Sequence, residues 1–180
     1  MGLLVVDTQK ALVSRALFAY ETFVTTIQEL IACARESGVE VVYVVHDDGA
    51  GSALTAGADG FAIFEGFRPW PSEPIFVKTA NSAFKDTGLR DYLLDRGETE
   101  LVVVGLQTDK CINATVISGF EYGFHLIVPT QGNSTVDNDY LERGQSWRYF
   151  NEFLWPGRFA ECVSAGEAAE RMRQERVEHI

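Results

Sequence analysis

"VVVGLQTDKCINAT", Val102 to Thr115, decides how the whole chain is read. Leu101 to Val104 is a continuous apolar, β-branched run, the pattern of a strand covered on both faces. Gly105 breaks it, and Ile112 to Tyr122 then carries helical periodicity as far as Gly123, a glycine placed as a C-terminal cap. Thr108 or Asp109 is positioned to cap that helix, which puts Cys111 in its first turn. A free cysteine is more often a small core hydrophobe, so a thiol at the mouth of a strand-to-helix turn asks for an explanation.

The same unit recurs outward from this stretch. Further apolar runs cover Leu3 to Val6, Val39 to Val45, Pro74 to Val77 and Phe124 to Val128, with a weaker one near Phe159 to Val163. Helical patterns fill the gaps: Thr22 to Ser37 ending at Gly38, and Thr87 to Arg96 ending at Gly97. Near the end, Ser164 and Glu167 fit a capping box opening a helix from Glu167 to about Arg176. Alternation of this kind predicts a single α/β domain over residues 1–180, a mainly parallel sheet with helices on both faces.

The chain has 180 residues, 46% of them hydrophobic, and a formal net charge of -11. An acidic surface repels phosphate backbones and anionic lipid, so neither nucleic acid nor membrane is expected as a partner. No apolar run approaches the roughly 18 residues of a bilayer span. The opening "MGLLVVD" has no basic flank and stops too early for a signal peptide. Three cysteines make no disulfide framework, and a reducing cytoplasm is the expected setting.

Two segments break the rhythm. Residues 48–60 are rich in glycine and alanine and lack the Gly-Lys-Ser/Thr ending of a phosphate cradle. Phe61 to Pro71, "FAIFEGFRPWP", reads as a satellite core or subunit contact rather than a pocket wall. "SWRYFNEFLW", Ser146 to Trp155, puts Trp147, Phe150 and Leu154 on one helical face, a packing surface. Cys33 and Cys162 read as structural.

In open α/β sheets, ligands bind beyond the carboxyl ends of the strands. Strand one is followed there by Asp7, strand two by His46 and Asp47, and strand three by Lys78. Strand four leads to Cys111, and strand five to Thr130 and Gln131. An acid, an ammonium and a thiol thus come from three strands to one edge. The thiolate is the nucleophilic form, yet a free thiol is mostly protonated at neutral pH. The helix N-terminus and the Lys78 ammonium are expected to lower its pKa. Asp7 could take the thiol proton and return it to a leaving amine, and backbone N–H groups of the turn could hold an oxyanion. This scheme uses no metal and no organic cofactor. His46 reads equally as a substrate contact or as a structural histidine.

With these residues in place, the chain resembles the isochorismatase-like cysteine hydrolases, the superfamily of nicotinamidases, N-carbamoylsarcosine amidases and isochorismatases. "LLVVDTQ" with Asp7 and Gln9, "FVKTANSAF" with Lys78, and "VVVGLQTDKCINAT" with Cys111 carry the likeness, in order and spacing. The resemblance implies a six-stranded parallel sheet of order 3-2-1-4-5-6 and an Asp7–Lys78–Cys111 triad. It also implies a cis peptide joining Leu106 to Gln107, with the Gln107 and Cys111 amides as oxyanion donors. Gln9, Leu12, His46, Phe84 and Leu106 become candidate pocket residues, and a homo-oligomer, dimer or tetramer, is expected.

Departures narrow the reading. Nicotinamidases carry a metal-binding Asp-x-His after strand two; here the stretch is Val44-Val45-His46, so no metal is expected. Ala11 and Leu12 replace an acidic and aromatic pair, and "PTQGNST" follows strand five where an Asp-Ala pair is common. The expected activity is metal-independent cleavage of a C–N bond in a small amide, carbamoyl or ureido compound through a Cys111 thioester. The alternatives are a thiol-reactive or ligand-binding member without catalysis, and a nicotinamidase.

Overall fold

Strand β1 (Gly2–Val6) is buried along its whole length, which its apolar sequence GLLVV requires. In the computed structural model, which describes residues 1–178 and the side chains of 1–175, it lies at the centre of the sheet. Parallel neighbours flank it on both sides: β2 (Glu40–His46) and β4 (Glu100–Leu106). Beyond β2 runs the edge strand β3 (Ile75–Lys78), and beyond β4 run β5 (His125–Pro129) and β7 (Glu161–Val163). The path β3-β2-β1-β4-β5-β7 is the expected order. A two-residue strand the sequence did not announce, β6 (Asn133–Ser134), pairs with the end of β4 at Gly105 and Leu106.

Alternate strand residues feed two cores. Leu3, Val5, Val41, Tyr43, Val102 and Val104 pack under α1 (Tyr20–Ser37) and α5 (Ala165–Glu178), meeting Phe23, Ile27, Leu30 and Met172. Leu4, Val6, Val42, Val44, Leu101 and Val103 face α2 (Leu89–Asp95) and α3 (Asn113–Glu121), with Leu93 and Val116. Each fully buried Leu, Ile or Phe contributes about 1.5–3 kcal/mol. Such two-sided burial explains why the strands read as continuous rather than alternating runs. Among the described residues, no helix is long and apolar enough to cross a membrane.

Helix ends follow the sequence signals in two places. The amide of Gly38, in the left-handed region, closes α1 by bonding to Ala34 and Arg35 carbonyls. Ser164 Oγ accepts the Glu167 amide at 3.1 Å, and α5 starts two residues before that glutamate.

Elsewhere local patterns gave way to packing. Phe61 to Pro71 joins the main core instead of forming a satellite: Phe67 is buried edge-on to Phe23 and beside Phe64. Within it, Ile63 bridges to Gln9, just past the end of β1. The single face expected for Trp147, Phe150 and Leu154 is split. The helix α4 (Arg143–Arg148) passes into a π-helical turn, Tyr149–Leu154, and the wider winding changes the period. Trp147 packs on Phe18 and donates to the Thr130 carbonyl, while Phe150 and Leu154 join the core beneath α3.

Candidate active site

The carboxyl end of β1 passes directly into Asp7, whose φ of 52° turns the chain out of the sheet. The conformation is strained for most side chains, although aspartate tolerates it better than bulkier residues. The Asp7 amide holds to the Val44 carbonyl at 2.8 Å, which locks the turn against β2. On the other side Gly105, paired with Val6, has a φ of 127°. A Cβ there would lie 1.9 Å from the Val6 carbonyl oxygen, so only glycine lets the ends of β1 and β4 come together.

Register then delivers the other groups. His46 and Lys78 are partners at the last rung between β2 and β3. Past β4, a cis peptide joins Leu106 to Gln107 and a π-helical turn, Thr108–Ile112, holds Cys111 ahead of α3. The amides of Lys110 and Ile112, on either side of Cys111, both go to the Gln107 carbonyl. Four distant segments of sequence converge. Lys78 Nζ lies 2.8 Å from Asp7 Oδ2, 2.8 Å from His46 Nδ1, 3.0 Å from the Ala80 carbonyl and 3.3 Å from Cys111 Sγ.

Asp7 and Lys78 are each 1% exposed, and Cys111 is half-buried. Burial raises the Asp7 carboxyl pKa above its usual range; the Lys78 ammonium, the Cys111 thiol and His46 pull the other way and lose. The Cys111 thiol is pushed up to about 12, first by burial and then by the Asp7 charge, with Lys78 opposing. This corrects the expectation of a lowered thiol pKa. A lysine would depress it if it stood alone, but here a carboxylate shares the same space and burial penalises a thiolate.

The expected helix cap is also absent. Thr108 donates to Asn133 Oδ1 at 2.7 Å, and Asp109 accepts from Thr135, so both side chains tie the turn to the β6 segment. Asn133 and Asn151 exchange amide hydrogen bonds of 2.8 and 3.0 Å behind it, fully buried. Neither asparagine was singled out in the sequence; isolated asparagines in irregular segments carry no periodic signal. Asn81, inside the "FVKTANSAF" motif, is a second addition: its Oδ1 lies 3.9 Å from Cys111 Sγ, on the exposed side.

The pocket candidates separate. His46 sits in the cluster. Gln9 stands behind it, fully buried, with both ends of its amide spent on the His46 peptide at 2.8 and 2.9 Å. Leu106 is wholly buried in the core under α1 and α5, and Leu12 packs at that core's edge. Phe84 stacks on Phe124 in the opposite core. Gln9 is held by hydrogen bonds and Leu106 and Phe84 by packing, while Leu12 is half-buried, because strand-end positions next to a site are also the ends of a core.

Asp7, His46 and Cys111 present metal-capable atoms within 4.8 Å of one another. The Lys78 ammonium touches all three, so a fixed cation already satisfies these donors. Val44, where an Asp-x-His ligand would stand, is a buried core valine. The donor set does not suit a resident metal.

A family model for the isochorismatase domain matches residues 1–165. Streptothricin hydrolase of Streptomyces noursei is 32% identical over 138 residues, 76% of this chain and 55% of that protein. Ureidoacrylate amidohydrolase RutB of Rhizobium rhizogenes is 23% identical, over 66% of this chain and 49% of its own length. The chain thus spans about half the length of these curated relatives. The crystal structure of an isochorismatase-family protein from Chromobacterium violaceum superposes with a TM-score of 0.89 at 24% identity, covering 96% of this chain and 93% of that one. The domain model, matched over residues 1–165, makes this chain a member of the isochorismatase family.

Proposed function

We propose that the chain is a metal-independent cysteine amidohydrolase that cleaves a C–N bond in a small amide, carbamoyl or ureido compound. The carrying observation is the Lys78 ammonium in simultaneous contact with the Asp7 carboxylate and the Cys111 sulfur. Asp7 Oδ1 is buried with no hydrogen-bond partner among the described residues, an open acceptor beside the thiol. Asp7 takes the thiol proton before sulfur attacks the substrate carbonyl. Lys78 then pairs with the new thiolate instead of the neutralised carboxyl, so the cluster keeps its net charge.

The oxyanion is received by backbone N–H groups of Gln107 and Cys111. Asp7 returns its proton to the departing nitrogen, the C–N bond breaks, and a thioester remains on Cys111. Asp7 next accepts a proton from water as its oxygen attacks the thioester; the carboxylic product leaves and the proton passes back to sulfur. Names of the relatives favour amide-type substrates: one is a streptothricin hydrolase, another a ureidoacrylate amidohydrolase.

The protonated resting thiol disfavours an oxidant-sensing role, which calls for an exposed low-pKa thiolate. A metal-dependent nicotinamidase is disfavoured by the buried Val44 and by His46 bonding to Lys78. The test is ammonia or amine release across a panel of amides, carbamoyl and ureido compounds, with the acyl-enzyme trapped by acid quench and weighed. Turnover of at least one compound by the wild type, abolished in Cys111→Ala, is the expected result. Full activity of Cys111→Ala would overturn the mechanism.

A further inference from the structure

The Lys78 ammonium has three protons and four acceptors within reach: His46 Nδ1, Asp7 Oδ2, the Ala80 carbonyl and Cys111 Sγ. An ammonium only donates. His46 Nδ1 must therefore offer its lone pair, and the ring proton must sit on Nε2. That Nε2 lies 2.8 Å from Asp48 Oδ1, while Asp48 Oδ2 accepts the Ser52 hydroxyl at 3.2 Å. The Gln9 amide grips the His46 peptide from both sides. Gln9 thus fixes where the imidazole starts, and Asp48 fixes which nitrogen carries the proton.

We propose that Asp48 and His46 form a positioning relay: Asp48 holds His46 as the Nε2–H tautomer, and Nδ1 seats the Lys78 ammonium between Asp7 and Cys111. The inference rests on the hydrolase reading and adds two residues that act through Lys78. The charged and titratable groups facing the imidazole are Lys78 from β3, Asp7 after β1, Cys111 after β4, and Asp48 on its own loop. In the opposite tautomer an N–H would point at an ammonium 2.8 Å away, donor against donor. The ammonium would have to withdraw, and the sulfur would lose its nearest positive charge. Asp48 is half exposed, so substitutions there leave the core untouched.

The experiment uses the intact protein and no substrate. Nitrogen-15 NMR reads the His46 tautomer, and iodoacetamide alkylation of Cys111 at pH 8, followed by peptide mapping, reads the thiol. Wild type is expected to show a single Nε2–H tautomer. Asp48→Ala should give mixed tautomers and alkylation about tenfold slower, the size of a one-unit rise in thiol pKa. Asp48→Asn, which keeps an acceptor oxygen but no charge, should restore both readouts. An unchanged tautomer and rate in Asp48→Ala would overturn the relay. So would Asp48→Asn behaving like Asp48→Ala, because the effect would then be charge alone. Failure of the wild type to hydrolyse any amide would bear on the hydrolase reading only, since both readouts are taken without substrate.

Discussion

The Lys78 ammonium stands 3.3 Å from the Cys111 sulfur, and yet the thiol is pushed up rather than down. The same ammonium is 2.8 Å from the Asp7 carboxylate, so its charge is already answered. The Cys111 thiol holds its proton beside the Asp7 carboxyl group. In the proposed mechanism, activation is a transfer between the two, with Lys78 as the fixed counter-charge.

A protonated resting thiol sets the pH dependence of labelling. With the Cys111 pKa pushed up to about 12, the thiolate fraction grows with each pH unit across the neutral and mildly alkaline range. Iodoacetamide labelling of free enzyme should climb about tenfold per unit from pH 7 to 9 without levelling. A plateau reached below pH 8 would show a thiol already ionised and would contradict the charge arrangement.

Asp7→Asn should separate alkylation from turnover. It removes the carboxylate charge that raises the thiol pKa, so alkylation by iodoacetamide should quicken. Hydrolysis should fall by about 10²–10⁴, the usual worth of a positioned base. Parallel changes in both rates would refute the assignment of Asp7 as proton acceptor.

That variant also leaves a buried ammonium without its counter-charge, a loss of about 3–5 kcal/mol. Asp7→Asn combined with Lys78→Met should be more stable to urea than Asp7→Asn alone, although inactive. Equal or lower stability of the double variant would mean the pair is not the buried unit its geometry indicates.

Gly105→Ala tests the approach of β1 to β4. Its Cβ would sit 1.9 Å from the Val6 carbonyl at a φ of 127°. Backbone must move, and a destabilisation of more than about 3 kcal/mol is expected. Denaturant midpoints within error of the wild type would show that the strand ends can separate freely.

His125, at the opposite end of the sheet, bonds through both ring nitrogens to Glu100 and Glu161. Burial lowers its pKa, but the two carboxylates outweigh this and raise it above the ordinary value. Its contribution to stability is therefore full below the unfolded pKa of 6.5 and is lost as pH rises through the higher folded value. With a half-exposed side chain the effect is small. His125→Asn should lose stability relative to wild type at pH 5.5 more than at pH 9, read by thermal melting. A larger loss at pH 9 would reverse the sign and refute the pairing.

Much of the site was legible because strand ends are legible. Asp7, His46, Lys78 and Cys111 follow apolar runs closely, and a parallel sheet carries all such ends to one edge. The electrostatics were not legible in the same way. Whether Lys78 lowers the thiol pKa depends on how near Asp7 lies to both, a distance no spacing encodes. Thr108 and Asp109 look like caps locally, but Asn133 and Thr135 compete for them from 25 and 26 residues away. Gln9 looks like a pocket residue until its two amide ends are found on the His46 peptide.

By itself, the order of apolar runs and terminating glycines determined the α/β architecture and which residues reach the carboxyl edge of the sheet, because burial and backbone conformation are local demands. Only the tertiary structure decided the surroundings of the Cys111 thiol, the partners of the His46 ring and the partners of Gln9. These depend on charges and donors brought within 2.8 to 3.3 Å from segments far apart in sequence. Over such distances in a site shielded from water, the arrangement of the neighbours outweighs the chemistry of any one residue.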